Sequence, residues 1–261
     1  MEWWKSALLG LVEGVTEFLP VSSTGHLILA QRALGIGEDE ASRAFAVCIQ
    51  AGAIAAVLGI YLRRARALLA GRERALLGNL LVAFVPAAVL GLAAEKWIDA
   101  HLFGLPPVVA AWFVGGAAIL LLGRRLRGGP SDLGSLGTGS ALAIGLFQCL
   151  ALWPGASRSL TTIAGGLLLG LAMPAAVEFS LLLGLLTLGA ATAWKAIHHG
   201  KALLAEYGLV APAVGFLVAA VAAWVSVKWM IAWLERRGLA VFGWYRVLLA
   251  AAVAAWILRK G

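Results

Sequence analysis

The sequence predicts an all-α integral membrane protein with six transmembrane helices and two re-entrant helix pairs, arranged as an inverted repeat. Two observations give the class: 62% of the 261 residues are apolar and only 13% are charged, and long apolar runs recur along the chain. Such a composition lies far from that of a water-soluble domain. A third observation gives the repeat, because a segment rich in Gly and Ser divides the chain at its middle.

The six transmembrane helices are predicted from runs of roughly 20 apolar residues, the length needed to cross a bilayer. They cover 44–62, 75–94 and 102–123 in the first half and 174–197, 207–229 and 238–258 in the second. No run of comparable length is left for a soluble domain. We therefore expect residues 1–261 to form a single membrane domain, with the lipid bilayer as its surroundings.

The two re-entrant helix pairs are predicted around Pro20 and Pro154, each of which is followed by serines. Proline ends a helix, and Ser or Thr can cap the next one. We expect Pro20 to end a first helix and Ser22, Ser23 or Thr24 to begin a second. The segment P-G-A-S-R-S at 154–159 repeats this arrangement.

An internal repeat is indicated by a few matching positions in the two halves. Pro20, Ser23 and Phe45 recur in the second half with the same spacing as Pro154, Ser157 and Phe179, and Gly10-Leu11-x-Glu13 is echoed one residue out of register by Gly145-Leu146-x-Gln148. The predicted repeats are about 1–127 and 141–261, joined by the linker 128–140. Three spans in each half invert the second half, and such repeats place a site where their broken helices meet. Chance or common membrane composition is the alternative explanation for so few identities.

The basic residues lie between the spans. Three clusters belong to one side: Arg63 to Arg74, Arg124 to Arg127, and Lys228 with Arg236 and Arg237. The positive-inside rule predicts that this side is cytoplasmic and that the acidic segment 38–40 and the segment 195–206 face outward. The net charge of +8 does not indicate a nucleic-acid partner, because no basic stripe interleaved with aromatic residues accompanies it.

Glu13 and Glu17 are the first candidate site residues. Their spacing of four places both carboxylates on one face of a helix, where they would repel each other. A divalent cation shared with a phosphorylated ligand would remove this conflict, so we predict a metal site for Mg²⁺, with Ca²⁺ as the second option. The alternative is that both side chains face water.

An anion site is predicted where the second helix of each pair begins, because free N–H groups and the helix dipole favour phosphate there. Arg158 adds a guanidinium fork suited to bidentate phosphate binding. The predicted substrate-binding residues are Ser22, Thr24, Ser157, Arg158 and Ser159. The alternatives are that the serines are only helix caps and that Arg158 only pairs with Glu178.

His26 follows Ser23 by three positions, on the same face of the predicted second helix. A hydroxyl beside a base is the usual arrangement of an activated serine, so Ser23 and His26 are candidate catalytic residues. The alternative for His26 is a hydrogen-bonding group at the surface; His101, His198 and His199 fall in predicted outer loops. For Arg246, in the last span, snorkelling or ion pairing is expected.

Taken together, E-G-V-T-E-F-L-P-V-S-S-T-G-H at 13–26 and L-W-P-G-A-S-R-S-L-T-T at 152–162 resemble the two signature regions of the undecaprenyl-diphosphate phosphatase family, also called the bacitracin-resistance family. The likeness includes E-F-S at 178–180 and F-G-W-Y-R at 242–246. It implies a bacterial inner-membrane hydrolase that removes the terminal phosphate of undecaprenyl diphosphate, a polyprenyl diphosphate lipid, on the periplasmic side. That reaction recycles the lipid carrier for peptidoglycan synthesis.

The resemblance also implies a divalent metal at Glu13 and Glu17 and catalytic positions at Ser23, His26, Glu17 and Arg158. The sequence leaves open whether Ser23 or His26 attacks phosphorus. It departs from the family pattern at Leu160, where a glycine is usual. A transporter of polyprenyl phosphate lipids is the alternative function, because inverted repeats with broken helices also occur in transporters.

Overall fold

The computed structural model describes residues 1–37, 39–123 and 125–260, without the side chains of 198–202, 204 and 260. Glu38 of the acidic segment, Arg124 of the second basic cluster and the side chains of His198 and His199 therefore lie outside the described part. Within it the chain forms eleven α-helices: α1 Trp3–Thr16, α2 Ser23–Ala33, α3 Glu40–Ile60, α4 Leu62–Leu69, α5 Arg74–His101, α6 Leu105–Leu121, α7 Thr138–Cys149, α8 Arg158–Leu168, α9 Met173–Tyr207, α10 Val210–Arg237 and α11 Ala240–Lys260.

The all-α membrane class is confirmed. Five helices of the described residues are long and apolar enough to cross a membrane: Glu40–Ile60, Arg74–His101, Met173–Ile197, Val210–Arg237 and Ala240–Arg259. The helix at the remaining predicted span, 102–123, is α6, which has 17 residues. At 1.5 Å per residue it is about 26 Å long, somewhat less than a bilayer core of about 30 Å. Its crossing of the membrane stays a prediction.

Several helix boundaries differ from those predicted. α5 continues to His101, beyond the predicted end at 94, so the predicted outer loop around His101 has a helical backbone. α1 ends at Thr16, before a turn that contains Pro20, so the helix stops earlier than the proline requires. α9 continues to Tyr207, so the predicted outer loop 195–206 has a helical backbone. α7 begins at Thr138, which makes the end of the predicted linker helical.

The first helix pair is α1 and α2, and its first helix, α1, runs alongside α10. Ser6 Oγ near the start of α1 donates to Ala211 O near the start of α10, at 2.6 Å. Close to the end of α1, Gly14 O accepts from Ser226 Oγ, at 2.8 Å. The two helices are therefore parallel, and the end of α1 lies beside the middle of the 28-residue α10.

The second helix pair is α7 and α8, and its first helix, α7, runs alongside α5 in the same manner. Asn79 Nδ2, near the start of α5, donates to Leu136 O just before α7, at 2.7 Å. Farther along, Leu152 packs against Gly91 of α5. α7 is therefore parallel to α5 and also ends beside the middle of a long helix.

The two helix pairs enter from opposite ends of the molecule. Arg64 of α4, the short helix just before α5, forms an ion pair with Glu178 near the start of α9, at 2.9 Å. α9 and α10 are consecutive and packed together, so α10 ends where α5 begins. Since α1 runs parallel to α10 and α7 runs parallel to α5, the turns of the two pairs approach the centre of the molecule from opposite sides. This arrangement supports the predicted inverted repeat.

Small residues permit the close approach of these helices. A Cβ at Gly10 would meet the backbone of Gly215 on α10, and a Cβ at Gly145 would meet the backbone of Ala83 on α5. Gly10 and Gly145 are the pair of glycines already matched between the two halves of the sequence. Each packs a short helix of one half against a long helix of the other.

The largest buried apolar cluster of the described residues lies behind the first turn, which is the segment that joins α1 to α2. Phe18 of that turn is in the same cluster as Ile163 of α8 and Phe179 of α9, and all three side chains are almost fully buried. Burial of aromatic and branched side chains of this size is the main stabilising contribution to packing in such a cluster. The turn that follows Glu17 is therefore held in a packed environment.

Candidate active site

The two proline-containing turns meet at the backbone of Leu19. Its carbonyl oxygen accepts from Ser159 Oγ at 3.0 Å and from Ser157 Oγ at 3.5 Å. Ser157 Oγ also accepts from Leu160 N at 3.3 Å, so the alternative that Ser157 is a helix cap is confirmed. Ser157 and Ser159 are predicted to bind phosphate. In the structure their hydroxyls join the second half of the chain to the first.

Arg246 connects both turns to α6. It is fully buried, and its Nη2 donates to Ala111 O and Gly155 O, at 2.9 Å each. Its Nη1 donates to Pro20 O at 3.4 Å. The expectation of snorkelling or ion pairing is wrong: among the described residues, this guanidinium binds backbone carbonyls only. A charged donor shared by both turns fixes their relative position.

Glu13 and Glu17 lie one helical turn apart, as their spacing predicts. Glu17 N donates to Glu13 O at 2.8 Å. The alternative that both face water is wrong, because Glu13 is 1% exposed and Glu17 8%. Lys5, the one nearby cation in the sequence, pairs with Glu2 instead. The two carboxylates are therefore directed into the protein.

Arg158 crosses from the second half to this carboxylate pair. Its Nη2 lies 3.7 Å from Glu17 Oε1, and its Nη1 donates to Ser180 O at 3.0 Å. The guanidinium carbon is 5.2 Å from the centre of the Phe18 ring. Nε and Nη2, the two donors along one edge of the fork, have no hydrogen-bond partner in the described part of the chain.

Glu178 is not the partner of Arg158. It pairs with Arg64, which also binds Glu73 at 2.8 Å. The sequence alternative that Arg158 serves only as the partner of Glu178 is therefore wrong. Apart from the ion pair of Nη2 with Glu17, the Nε and Nη2 edge of Arg158 has no partner among the described residues.

Ser23 Oγ donates a hydrogen bond to Glu17 Oε2. Glu17 directly follows α1 and Ser23 is the first residue of α2, so the turn between the two helices folds one residue against the other. Ser23 is 7% exposed. The base next to the candidate nucleophile is therefore Glu17, and the predicted contact of Ser23 with His26 is replaced by this one.

His26 has different partners. Its Nδ1 lies 2.7 Å from Ser22 O, and its Nε2 lies 2.7 Å from Tyr245 Oη. A carbonyl oxygen only accepts, so Nδ1 carries a proton, and in the neutral imidazole Nε2 then accepts from Tyr245. Sequence reasoning missed Tyr245, although it lies in the F-G-W-Y-R segment that carries part of the family resemblance.

The remaining predicted ligands lie around the same turns. Ser22 is buried and makes no side-chain capping bond, and Thr24 is partly buried in the first turn of α2. Leu160 is 6% exposed and belongs to the main apolar cluster. Its side chain therefore packs into the core, and its N–H is bonded to Ser157.

A metal ion would have few protein ligands here. Among the described residues, no group of three or more His, Cys, Asp or Glu side chains could hold one. The oxygen ligands of Glu13 and Glu17 nevertheless suit Mg²⁺ or Ca²⁺, and Mg²⁺ is often held by one or two carboxylates together with phosphate oxygens. Glu13 Oε2 is buried without a hydrogen-bond partner in this part of the structure, so the residues fit such an ion.

Comparison with known proteins gives a family and several relatives. The family model described as "Bacitracin resistance protein BacA" matches residues 6–252. A protein of Sorangium cellulosum named undecaprenyl-diphosphatase is 47% identical over 264 residues, which cover 97% of this chain and 86% of the relative. The protein of that name from Polaromonas naphthalenivorans is 42% identical, covering 96% and 94%. Undecaprenyl-diphosphatase 2 of Rhodospirillum rubrum is 44% identical, covering 96% and 93%.

Proposed function

Because this chain belongs to the bacitracin resistance protein BacA family, we propose that it is an undecaprenyl-diphosphate phosphatase. It hydrolyses undecaprenyl diphosphate to undecaprenyl phosphate and inorganic phosphate. The relatives at 42–47% identity are named for this activity. The reaction returns the lipid carrier to peptidoglycan synthesis, and it accounts for the resistance to bacitracin after which the family is named.

One observation carries the proposal: the free edge of Arg158 lies buried beside the Ser23–Glu17 pair. Buried donors are rarely left without a partner, so Nε and Nη2 are expected to have a ligand. Two parallel N–H groups match two oxygens of a phosphate. The same Arg158 is 3.7 Å from Glu17, so a phosphate bound to it would lie close to the hydroxyl of Ser23.

The chemistry that fits this arrangement has two steps. Ser23 Oγ attacks the terminal phosphorus as Glu17 takes its proton, and the bond to the bridging oxygen breaks so that undecaprenyl phosphate leaves. Water then attacks the phosphoserine, releasing inorganic phosphate and restoring the serine. Arg158 neutralises charge on the phosphoryl oxygens throughout, which is the main task of a protein in phosphoryl transfer.

We expect Glu13 and Glu17 to hold a divalent cation, Mg²⁺ or Ca²⁺, which would stabilise negative charge on the diphosphate. Replacing Glu13 by Gln removes one charged ligand, so the Mg²⁺ concentration for half-maximal activity should rise by about tenfold or more. Phosphate release measured over a Mg²⁺ titration tests this. Glu95→Gln, at an exposed carboxylate of α5, is the control and should leave the titration unchanged. Full activity of Glu13→Gln in the presence of a chelator contradicts the metal site.

Arg158→Lys keeps the positive charge and loses the two-donor edge. We expect kcat/KM to fall by about tenfold or more, since a bidentate contact is worth on the order of 1–3 kcal/mol. Steady-state phosphate release by the purified variant measures the loss. Arg64→Lys, at the arginine that pairs with Glu178, is the matched control and should stay near the wild-type rate. Equal rates with Lys and Arg at position 158 would make Arg158 a structural cation.

The proposal is separated from the transporter alternative by one experiment. The purified protein in detergent should release inorganic phosphate from undecaprenyl diphosphate and leave undecaprenyl phosphate. A transporter would move polyprenyl phosphate across the membrane of lipid vesicles without releasing inorganic phosphate. The relatives reported above are named as phosphatases, which favours the first outcome.

We further propose that the protein resides in the bacterial inner membrane with the site reached from the periplasm. The segment 61–73, which carries most of the first basic cluster, lies against the start of α9, and the chain after Arg127 is bonded there as well, through Gly129 N and Leu171 O at 3.1 Å. The positive-inside rule makes this end cytoplasmic. The helix pair that carries Glu13, Glu17 and Ser23 enters from the other end, which supports access from outside.

A further inference from the structure

Ser22 and Ser157 share a backbone conformation that residues other than glycine seldom adopt. Their φ angles are +73° and +76°, and they are the only residues other than glycine with positive φ in the described part of the chain. Each immediately precedes the second helix of its pair, so the two serines occupy equivalent places in the two halves. Such a conformation persists only where surrounding groups hold it.

The two serines are held in different ways. Ser157 uses its own hydroxyl, which accepts from Leu160 N at 3.3 Å. Ser22 makes no such side-chain bond, and its carbonyl oxygen is held instead by His26 Nδ1 at 2.7 Å. The hydroxyl of Ser22 is thereby left without a capping role, at a position next to Ser23.

His26 can hold Ser22 only while its proton is on Nδ1. A neutral imidazole carries its proton on either nitrogen, and the hydrogen bond made by the other nitrogen decides which. Tyr245 Oη lies 2.7 Å from Nε2, and the two rings are almost parallel, at 8°. With the proton on Nδ1, the lone pair of Nε2 needs a donor, and the Tyr245 hydroxyl supplies it, which stabilises the tautomer that Ser22 requires. Trp112 supports the ring edge-on, with centroids 5.3 Å apart.

We propose that Tyr245 is a positioning residue of the active site: it fixes the tautomer of His26, which holds the Ser22 carbonyl so that the Ser22 hydroxyl can donate to the phosphate of the substrate. This role rests on the proposed phosphatase function. It does not require His26 to act on Ser23, whose proton is directed to Glu17. Tyr245 itself acts only through His26 and is not a catalytic residue.

Tyr245→Phe removes a single oxygen and tests the role directly. We expect kcat to fall by about tenfold, because losing a group that orients a functional histidine has an effect of this size. KM should change by less than about threefold. In a His26→Asn background, the same substitution should lower kcat by less than about twofold, because Tyr245 then has no imidazole to orient. Tyr61→Phe and Tyr207→Phe, at the other two tyrosines, are matched controls and should keep the wild-type kcat.

A second measurement does not depend on activity. Nitrogen NMR of protein labelled at histidine should show His26 of the wild type protonated at Nδ1, and should show a mixture of tautomers in Tyr245→Phe. An unchanged tautomer, or a kcat within twofold of the wild type, overturns the positioning role. A wild-type protein that releases no phosphate overturns the phosphatase function instead, and the NMR result still decides whether Tyr245 sets the tautomer.

Discussion

Replacing Glu17 by Gln is expected to lower kcat for phosphate release by about 10²- to 10⁴-fold, the range associated with loss of a general base. The amide keeps the shape of the side chain but cannot take the proton of Ser23, whose hydroxyl donates to Glu17 in the structure. It also removes the negative charge nearest Arg158. Steady-state phosphate release by the purified variant measures the effect.

The control for Glu17→Gln is Glu73→Gln. Glu73 also accepts from an arginine, Arg64, but it lies in the connection before α5. Its replacement should change kcat by less than about twofold. If Glu17→Gln keeps more than a tenth of the wild-type kcat while Mg²⁺ is saturating, Glu17 is not the base.

Replacing Ser23 by Ala is expected to lower kcat on the order of 10³-fold or more, because the attacking oxygen is removed and only binding and charge neutralisation remain. The fold should tolerate the change, since Ser23 is the first residue of α2 and alanine is well accepted in a helix. The measurement is single-turnover release of phosphate at saturating enzyme.

Ser6→Ala is the matched control for this change. Ser6 is also a buried serine of the first helix pair, and its hydroxyl binds Ala211 O far from the turns. Its loss can reduce the stability of the protein but should leave the turnover of folded molecules unchanged. Comparable rates for Ser23→Ala and Ser6→Ala would exclude Ser23 as the attacking group.

Local sequence patterns predicted much of this site. The spacing of four between Glu13 and Glu17 is sufficient to place two carboxylates together, because it is a property of one helix. The proline and serine pattern shared by the two halves was sufficient to predict that Arg158 lies close to the first half. Both predictions depend on short-range geometry or on repetition, which a single sequence displays.

Contacts between distant segments could not be predicted. Glu178 is the acidic residue closest to Arg158 along the chain and was therefore its natural partner, but it pairs with Arg64 across the interface of α4 and α9. Tyr245 reaches His26 from the last helix of the chain. Nothing in the local sequence specifies which side chains meet when α11 packs beside α6.

The conformation of Ser22 illustrates a second limit. A positive φ is ordinarily predicted from glycine, and neither Ser22 nor Ser157 carries that signal. Both serines were therefore interpreted as ordinary helix caps or ligands. The bonds from Arg246 to Pro20 O and Gly155 O help to hold the strained backbone, together with those made by Ser22 O and Ser157 Oγ.

The attack of Ser23 on phosphorus is tested most directly by trapping the phosphoryl group. Wild-type protein is mixed with undecaprenyl diphosphate that is radioactive in its terminal phosphate, quenched in acid within one turnover and digested for peptide mapping. We expect acid-stable label on the peptide that contains Ser23, with none in Ser23→Ala. Acid-labile label on His26, or full consumption of the substrate without any labelled peptide, would contradict it.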